Sequence, residues 1–397
     1  MIIAVPKETG KLEKRVALVP ETVKQLTERD FQVWIEQDAG HASNFPDDAY
    51  EEAGATIVTD RDKLFSEADL LLSILTPPED DLEKLTEGSV LVCFLWALQN
   101  RDLVKKLQSL GITSLGMDAI PRISRAQNMD ALSSMSSIAG YKAALIGANE
   151  LDRYLPMMMT AAGTIAPARV LVLGAGVAGL QAIATTKRLG AKVEAFDIRP
   201  EVKEQVESLG ASFVEVPDVG EDTQTEGGYA KELSEDKQER QRQVIHEHAK
   251  KSNIIITTAL IPGKPAPLLI TTQMVEDMPP GSIIVDLAAE QGGNCELTDP
   301  GENVVKHGVK IVGPLDLPSR LAYHASKLYS KNMKALLDHL ISDDEAEEEA
   351  DREGAPPVAV DRLRFDFEDE ITLKTTITHD GKMVSPMLKD KEPSKSE

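Results

Sequence analysis

The strongest chemical signature in the chain is Gly174-Ala-Gly176-Val-Ala-Gly179, which follows the apolar run 170–173 and opens a helix-prone stretch. This G-x-G-x-x-G spacing suits the pyrophosphate of a dinucleotide. Gly174 permits a tight turn, Gly176 lets phosphate approach the backbone, and Gly179 allows close helix-to-strand packing, with the helix N-terminus facing the anion. Val177 stands in the first turn of that helix. The glycines alone are a weak signal. About twenty residues further on, however, a second apolar run ends in Asp197-Ile198-Arg199, where a carboxylate accepts hydrogen bonds from an adenosine ribose. Asp197 repels a 2′-phosphate and so favours NAD over NADP. Arg199 leaves two readings open, an invitation to a 2′-phosphate or a solvated charge at a strand end.

A second segment, Arg122-Ile-Ser-Arg-Ala-Gln-Asn-Met-Asp-Ala-Leu-Ser-Ser, is more hydrophilic than any core requires. From its residues alone it reads as an N-capped polar helix. Other constellations carry less. His246-Glu-His248 lacks the i, i+4 spacing that puts two ligands on one helical face, so no metal site is expected. His324 and Lys327 read as surface or packing residues, and neither a nucleophile elbow nor a Walker loop is present.

The elements that must position these groups alternate between strands and helices. Residues 2–5, 31–36, 70–75 and 89–95 read as strands, with helices at 21–29 and 102–110. A second series begins at 169, with strands at 170–173, 192–197, 213–216, 254–258, 282–286 and 310–312 and helices at 179–189 and 201–209. Residues 218–228 read as a mobile surface loop before a charged helix at 230–251. A helix at 320–341 precedes an acidic linker at 343–353. Beyond it, 363–371 alternates apolar and charged residues and is expected to add a strand to the first sheet, while the polar tail 380–397 is expected to be disordered.

Composition agrees with two α/β domains. The chain has 397 residues, more than one core usually serves, and 42% apolar against 4% aromatic residues suits parallel sheets filled by aliphatic side chains. A net charge of −23 without a basic cluster excludes a nucleic-acid partner. Two distant cysteines point to a reducing compartment, and a saline cytoplasm would also suit the acidic balance. The N-terminus has no signal-peptide core, and the uncharged run 170–186 is broken by glycines and shorter than the roughly 20 residues of a membrane span.

The opening Val5-Pro-Lys-Glu-Thr with Lys14-Arg-Val-Ala-Leu-Val-Pro20, the segment 122–134, Thr257-Thr-Ala-Leu-Ile-Pro-Gly-Lys-Pro-Ala-Pro267 and Gly292-Gly-Asn-Cys-Glu296 together resemble the NAD(H)-binding alpha subunit of the nicotinamide nucleotide transhydrogenases. Alanine dehydrogenase is a more distant likeness, and the resemblance covers nearly the whole chain. It implies that Arg122, Gln127 and Asp130 hold a dihydronicotinamide, whose carboxamide offers one donor and one acceptor group, with Ser133 adding a contact. It also implies that Gly228 and Tyr229 end a loop closing over the nucleotide, and that Ala259 and Leu260 line its path from adenosine to nicotinamide. By composition alone these last two would be ordinary core.

The same resemblance separates two chemistries. Oxidising an amino acid requires proton transfer as well as hydride transfer, and so a positioned Lys or His. Here Leu75 and Trp96 fall where alanine dehydrogenase has its Lys and His. Hydride exchange between nicotinamides moves no proton at the reacting carbons and needs only proximity and orientation. Arg15, which would bind a keto acid in the dehydrogenase, receives no role.

The expected architecture is two Rossmann-like domains with parallel sheets, residues 1–132 completed by 315–397 and residues 133–314, with the cofactor in the cleft between them. The expected function is the NAD(H)-binding part of a proton-translocating transhydrogenase, passing hydride from NADH to NADP⁺ held by a partner. The resemblance implies a homodimer, with membrane-spanning and NADP(H)-binding subunits as partners, and a cytoplasmic location at the inner face of the membrane. An amino-acid dehydrogenase and a non-catalytic NADH-binding regulator are the rivals.

Overall fold

The computed structural model describes residues 1–215, 235–261, 264–341 and 363–389. These form two compact units, one holding Met1–Met135 with the described residues from Leu321 onward, the other Ser136–Arg320. The division falls within the helix Ala131–Glu150.

In the first unit, strands β1 (Ile2–Val5), β2 (Gln32–Glu36), β3 (Thr56–Val58), β4 (Leu70–Leu75), β5 (Val90–Phe94) and β6 (Thr113–Gly116) lie in the order β3-β2-β1-β4-β5-β6, all parallel. Both faces of such a sheet are covered, which is why β4 and β5 read as nearly unbroken apolar runs, Leu-Leu-Leu-Ser-Ile-Leu and Val-Leu-Val-Cys-Phe. The order reverses between β1 and β4. A ligand crevice belongs at such a switch point.

In the second unit, Met158–Thr160 (β7) and Gly163–Ile165 (β8) form a separate antiparallel hairpin. The main sheet uses β9 (Arg169–Leu173), β10 (Lys192–Phe196), β11 (Ser212–Val214), β12 (Ile254–Thr257), β13 (Ile283–Asp286), β14 (Asn303–Lys306) and β15 (Val309–Val312) in the order β11-β10-β9-β12-β13-β15-β14. All pairs are parallel except β14 with β15. Its switch point lies between β9 and β12.

The chain then returns to the first sheet through the helix Ala322–Leu340. The strand that joins is not 363–371. Asp369 caps a helix at Glu370–Thr375 by accepting the Ile371 and Thr372 amides, and β16 (Thr376–His379) pairs antiparallel with β6. The alternation in 363–371 reflects Phe365 and Phe367 packing on the His379 ring, at centroid distances of 4.8 and 5.1 Å. The tail is ordered further than its polarity suggests, because β17 (Lys382–Met383) pairs with β16 and buried Leu388 follows within Pro386–Lys389. The polar pattern after residue 122 suggests a helix only as far as residue 134, whereas the helix runs to Glu150; small residues such as Gly140, Ala143 and Ala144 are buried on it without leaving an amphipathic stripe. Among the described residues no helix is long and apolar enough to cross a membrane.

Candidate nucleotide-binding site

At the second unit's switch point the glycine motif connects β9 to the helix Val177–Arg188. Gly174 takes φ +96°, and a side chain there would also meet the Thr258 hydroxyl at 2.5 Å. Gly179 packs so closely that a Cβ would lie 1.9 Å from the Gly174 carbonyl oxygen. Gly176 differs, since nothing stands nearer than Arg199 Nη2 at 4.0 Å from its Cβ position. Gly174 and Gly179 therefore satisfy the fold, and Gly176 leaves the approach to the helix N-terminus open. Val177 is exposed at that approach.

Asp197 ends the neighbouring strand and is buried. Its carboxylate accepts the Ala175 amide at 2.7 Å, the Arg199 amide at 2.9 Å, and the Arg199 Nε and Nη2 groups at 2.8 and 2.7 Å. Arg199 is thus folded onto Asp197 beside Gly176, and this pairing raises its pKa above the ordinary guanidinium value. It is neither a solvated charge nor a free phosphate anchor. Ile198 packs on the apolar cluster behind the strand. Following β12, Thr258 donates its hydroxyl to the Gly174 carbonyl at 3.1 Å, which brings Ala259 beside the glycine turn and leaves Leu260 exposed. Gly228 and Tyr229 lie outside the described residues.

In the first unit, residues Ser124–Met129 form a 3₁₀ turn. Ala126 and Met129 anchor it in the core, Asn332 Nδ2 donates to the Asn128 carbonyl at 2.8 Å, and Arg125 pairs with Asp369. Gln127 on the turn and Arg122 just before it are exposed. Asp130, half-buried, accepts the Ser133 amide at 2.8 Å and its hydroxyl at 2.5 Å, capping the following helix. An amide on an anchored turn thus stands between an exposed guanidinium before it and an acid at its end.

The first unit's own switch point is a cleft of about 200 Å³, lined among others by Glu8, Gly10, Arg61, Ser73, Leu75 and Thr76. Leu75 supplies no proton donor there. Glu8 accepts the Ile74 amide at 2.6 Å, and burial, reinforced by the nearby Glu13 charge, outweighs that bond and the Leu75 and Arg15 contributions to push its pKa up to about 8. Arg15 is buried and held by both oxygens of Glu13, Nε to Oε1 at 2.7 Å and Nη2 to Oε2 at 2.5 Å. The Nε–Nη2 edge of its guanidinium is therefore committed to an internal carboxylate. Trp96, at φ +48°, stacks on Phe94 at 5.8 Å. His246 and His248 turn to separate partners, Asp277 and Glu194.

Two doubly wound sheets with a glycine turn at one switch point define a nucleotide-binding α/β protein of the dehydrogenase kind. The models for "Alanine dehydrogenase/PNT, N-terminal domain" and "Alanine dehydrogenase/PNT, C-terminal domain" match residues 4–139 and 143–386. The chain belongs to this family, on the side of the transhydrogenase alpha subunits. It is 49% identical over 394 residues to the first part of NAD(P) transhydrogenase subunit alpha of Rhodospirillum rubrum, covering 98% of this chain and 99% of that one. The crystal structure of transhydrogenase from Sinorhizobium meliloti matches with a TM-score of 0.84 at 41% identity, over 97% of this chain and 100% of that one. Alanine dehydrogenase of Mycolicibacterium smegmatis is 31% identical over 303 residues, 76% of each chain.

Asn332 carries no signal in the sequence, and Thr258 stands in the run 257–267 without a task, because both bond to backbone carbonyls. Side chains that serve a distant main chain leave no spacing signature. The run around Asn294 was visible as a motif, but without a task.

Proposed function

We propose that the chain binds NADH at the Gly174–Gly179 turn and presents the nicotinamide, held by Arg122, Gln127 and Asp130 with Ser133 alongside, for direct hydride transfer to NADP⁺ on a partner domain. The observation that carries this reading is Arg15 locked onto Glu13, with Leu75 and Trp96 where an amino-acid dehydrogenase needs a proton donor and acceptor. Without those groups, orientation is what the protein contributes. Pyrophosphate sits against Gly176 and the amides of the first helical turn, and ribose hydroxyls donate to Asp197, with Arg199 paired to the same carboxylate. Ala259 and Leu260 flank the nucleotide, and Gly228 and Tyr229 cover it. NAD is the cofactor of this chain, and NADP belongs to the partner.

The activity belongs to the complex, a proton-translocating transhydrogenase whose membrane-spanning and NADP(H)-binding subunits this chain meets at the cytoplasmic face of the membrane. A homodimer fits the β7–β8 hairpin and the segment leading into it, which expose Tyr154, Met157, Met159 and Ile165, with Met159 at 76%. The test is to mix the chain with a transhydrogenase NADP(H)-binding domain, NADH and an NADP⁺ analogue. Reduction of the analogue is expected, with no NADH oxidation by pyruvate and ammonia. Tight NADH binding without reduction would favour the regulator.

A further inference from the structure

The run 292–296 has no task in the function proposed above, yet its Asn294 is among the most completely bonded residues in the second unit. Its side chain is fully buried. Oδ1 accepts the Ala259 amide at 3.0 Å, and Nδ2 donates to the carbonyls of Ala259 at 2.9 Å and Pro267 at 2.8 Å. One amide thus pairs with both main-chain groups of a single residue, as a neighbouring strand would, and also ties the far end of the segment. Its own carbonyl accepts the Leu269 and Ile270 amides at 2.8 and 2.9 Å.

Asn294 is itself held by a buried acid. Asp286, at the end of β13, accepts the Asn294 and Cys295 amides at 2.8 and 3.0 Å, the Ala288 amide at 3.0 Å, and the hydroxyls of Thr257 and Thr298 at 2.8 and 2.7 Å. Gly293, at φ +80°, is required for this, because a Cβ would stand 2.9 Å from the Asp286 carboxylate. On its other side the same main chain is tied to the glycine turn by Thr258. Ala259 is therefore fixed from within by Asn294, while it remains only partly buried and Leu260 is exposed.

We propose that Asn294 is a positioning residue for the nucleotide, holding the Ala259–Leu260 main chain in fixed register with the Gly174 turn before NADH arrives. This rests on the reading that residues 259 and 260 flank the dinucleotide. Without the clamp the segment must be ordered when ligand binds, and that cost appears as lost affinity. Asparagine is specifically required. Aspartate keeps its size but points an oxygen, and a buried charge, at two carbonyls that have lost their donor.

The test titrates the full-length chain and its Asn294→Asp variant with NADH and with 5′-AMP, which reaches only the Gly176 and Asp197 side. NADH affinity should fall about tenfold or more while that for AMP is unchanged. Unchanged NADH affinity overturns the proposal, as does an equal loss for both ligands, which would mark general loosening. Failure of the unaltered chain to bind NADH would instead remove the functional reading and this one with it. If the variant does not fold, hydrogen exchange in the unaltered, nucleotide-free chain decides. The Ala259 amide should be protected, and free exchange there would overturn the clamp.

Discussion

Replacing Asp130 with asparagine separates the chemical role of the 122–130 turn from its structural one. Asp130 caps the helix through two bonds to Ser133, and asparagine preserves both, its oxygen accepting the amide and its NH₂ donating to a reoriented hydroxyl. The buried anchors Ala126 and Met129 are untouched. Stability should change by less than about 1 kcal/mol, since asparagine and aspartate cap equally well. The carboxamide, however, loses the acceptor for its NH₂ group, and a ring misplaced by about 1 Å costs roughly 10²-fold in rate. Single-turnover hydride transfer in the reconstituted complex, beside NADH affinity measured by its fluorescence, gives both quantities. A large loss of rate with little loss of affinity is expected, and equal losses in the two would refute the assignment.

Gly176→Ala should cost about 1 kcal/mol of stability at the helix cap yet weaken NADH binding at least tenfold, read by calorimetry. Gly179→Ala should instead destabilise the second unit by about 3 kcal/mol or more, because its Cβ would overlap the Gly174 carbonyl, and thermal unfolding without nucleotide reads this. Glu8 is protonated in the folded chain well above its unfolded pKa, so its contribution is fully present below about pH 4.5 and is lost as pH rises through about 8. Glu8→Gln, which keeps an acceptor for the Ile74 amide, should therefore gain stability relative to the parent between pH 5 and pH 9, by up to about 5 kcal/mol in denaturant titrations; parallel profiles would contradict it. Met159→Lys tests the proposed homodimer: a smaller mass than that of the unaltered chain is expected in sedimentation, and an unchanged mass would exclude the hairpin from the interface.

Much of the fold is legible because buried parallel strands announce themselves. The runs ending at Val5, Leu75, Leu173 and Thr257 are mostly apolar segments followed by turns, and their edges fall within a residue or two of expectation. The C-terminal return is harder. In 363–371 a period-two pattern loses to a strong cap at Asp369, and β16 is a mostly polar strand, Thr-Ile-Thr-His, whose Thr378 hydroxyl reaches Ser114 and the Ile112 carbonyl. Such a strand gives no periodic signal, because the Thr378 hydroxyl is satisfied only once the partner strand is in place.

The candidate site divides in the same way. The glycines and Asp197 are readable because phosphate and ribose chemistry dictates their spacing, but the Arg199 fold onto Asp197 is a side-chain choice that spacing does not encode. Arg15 is the clearest case. As a residue it matches an anchor for a keto acid, and only its Glu13 partner, two positions away, shows that one edge of the guanidinium is already paired within the chain.

The central claim is that hydride passes directly between two nicotinamides without exchange with solvent. Its most direct test is NADH carrying deuterium at the transferred C4 position, mixed with this chain, the NADP(H)-binding partner and NADP⁺ in ordinary water. Recovery of the deuterium in NADPH is predicted. Deuterium appearing in water, or NADH oxidised with no label in NADPH, would contradict the account.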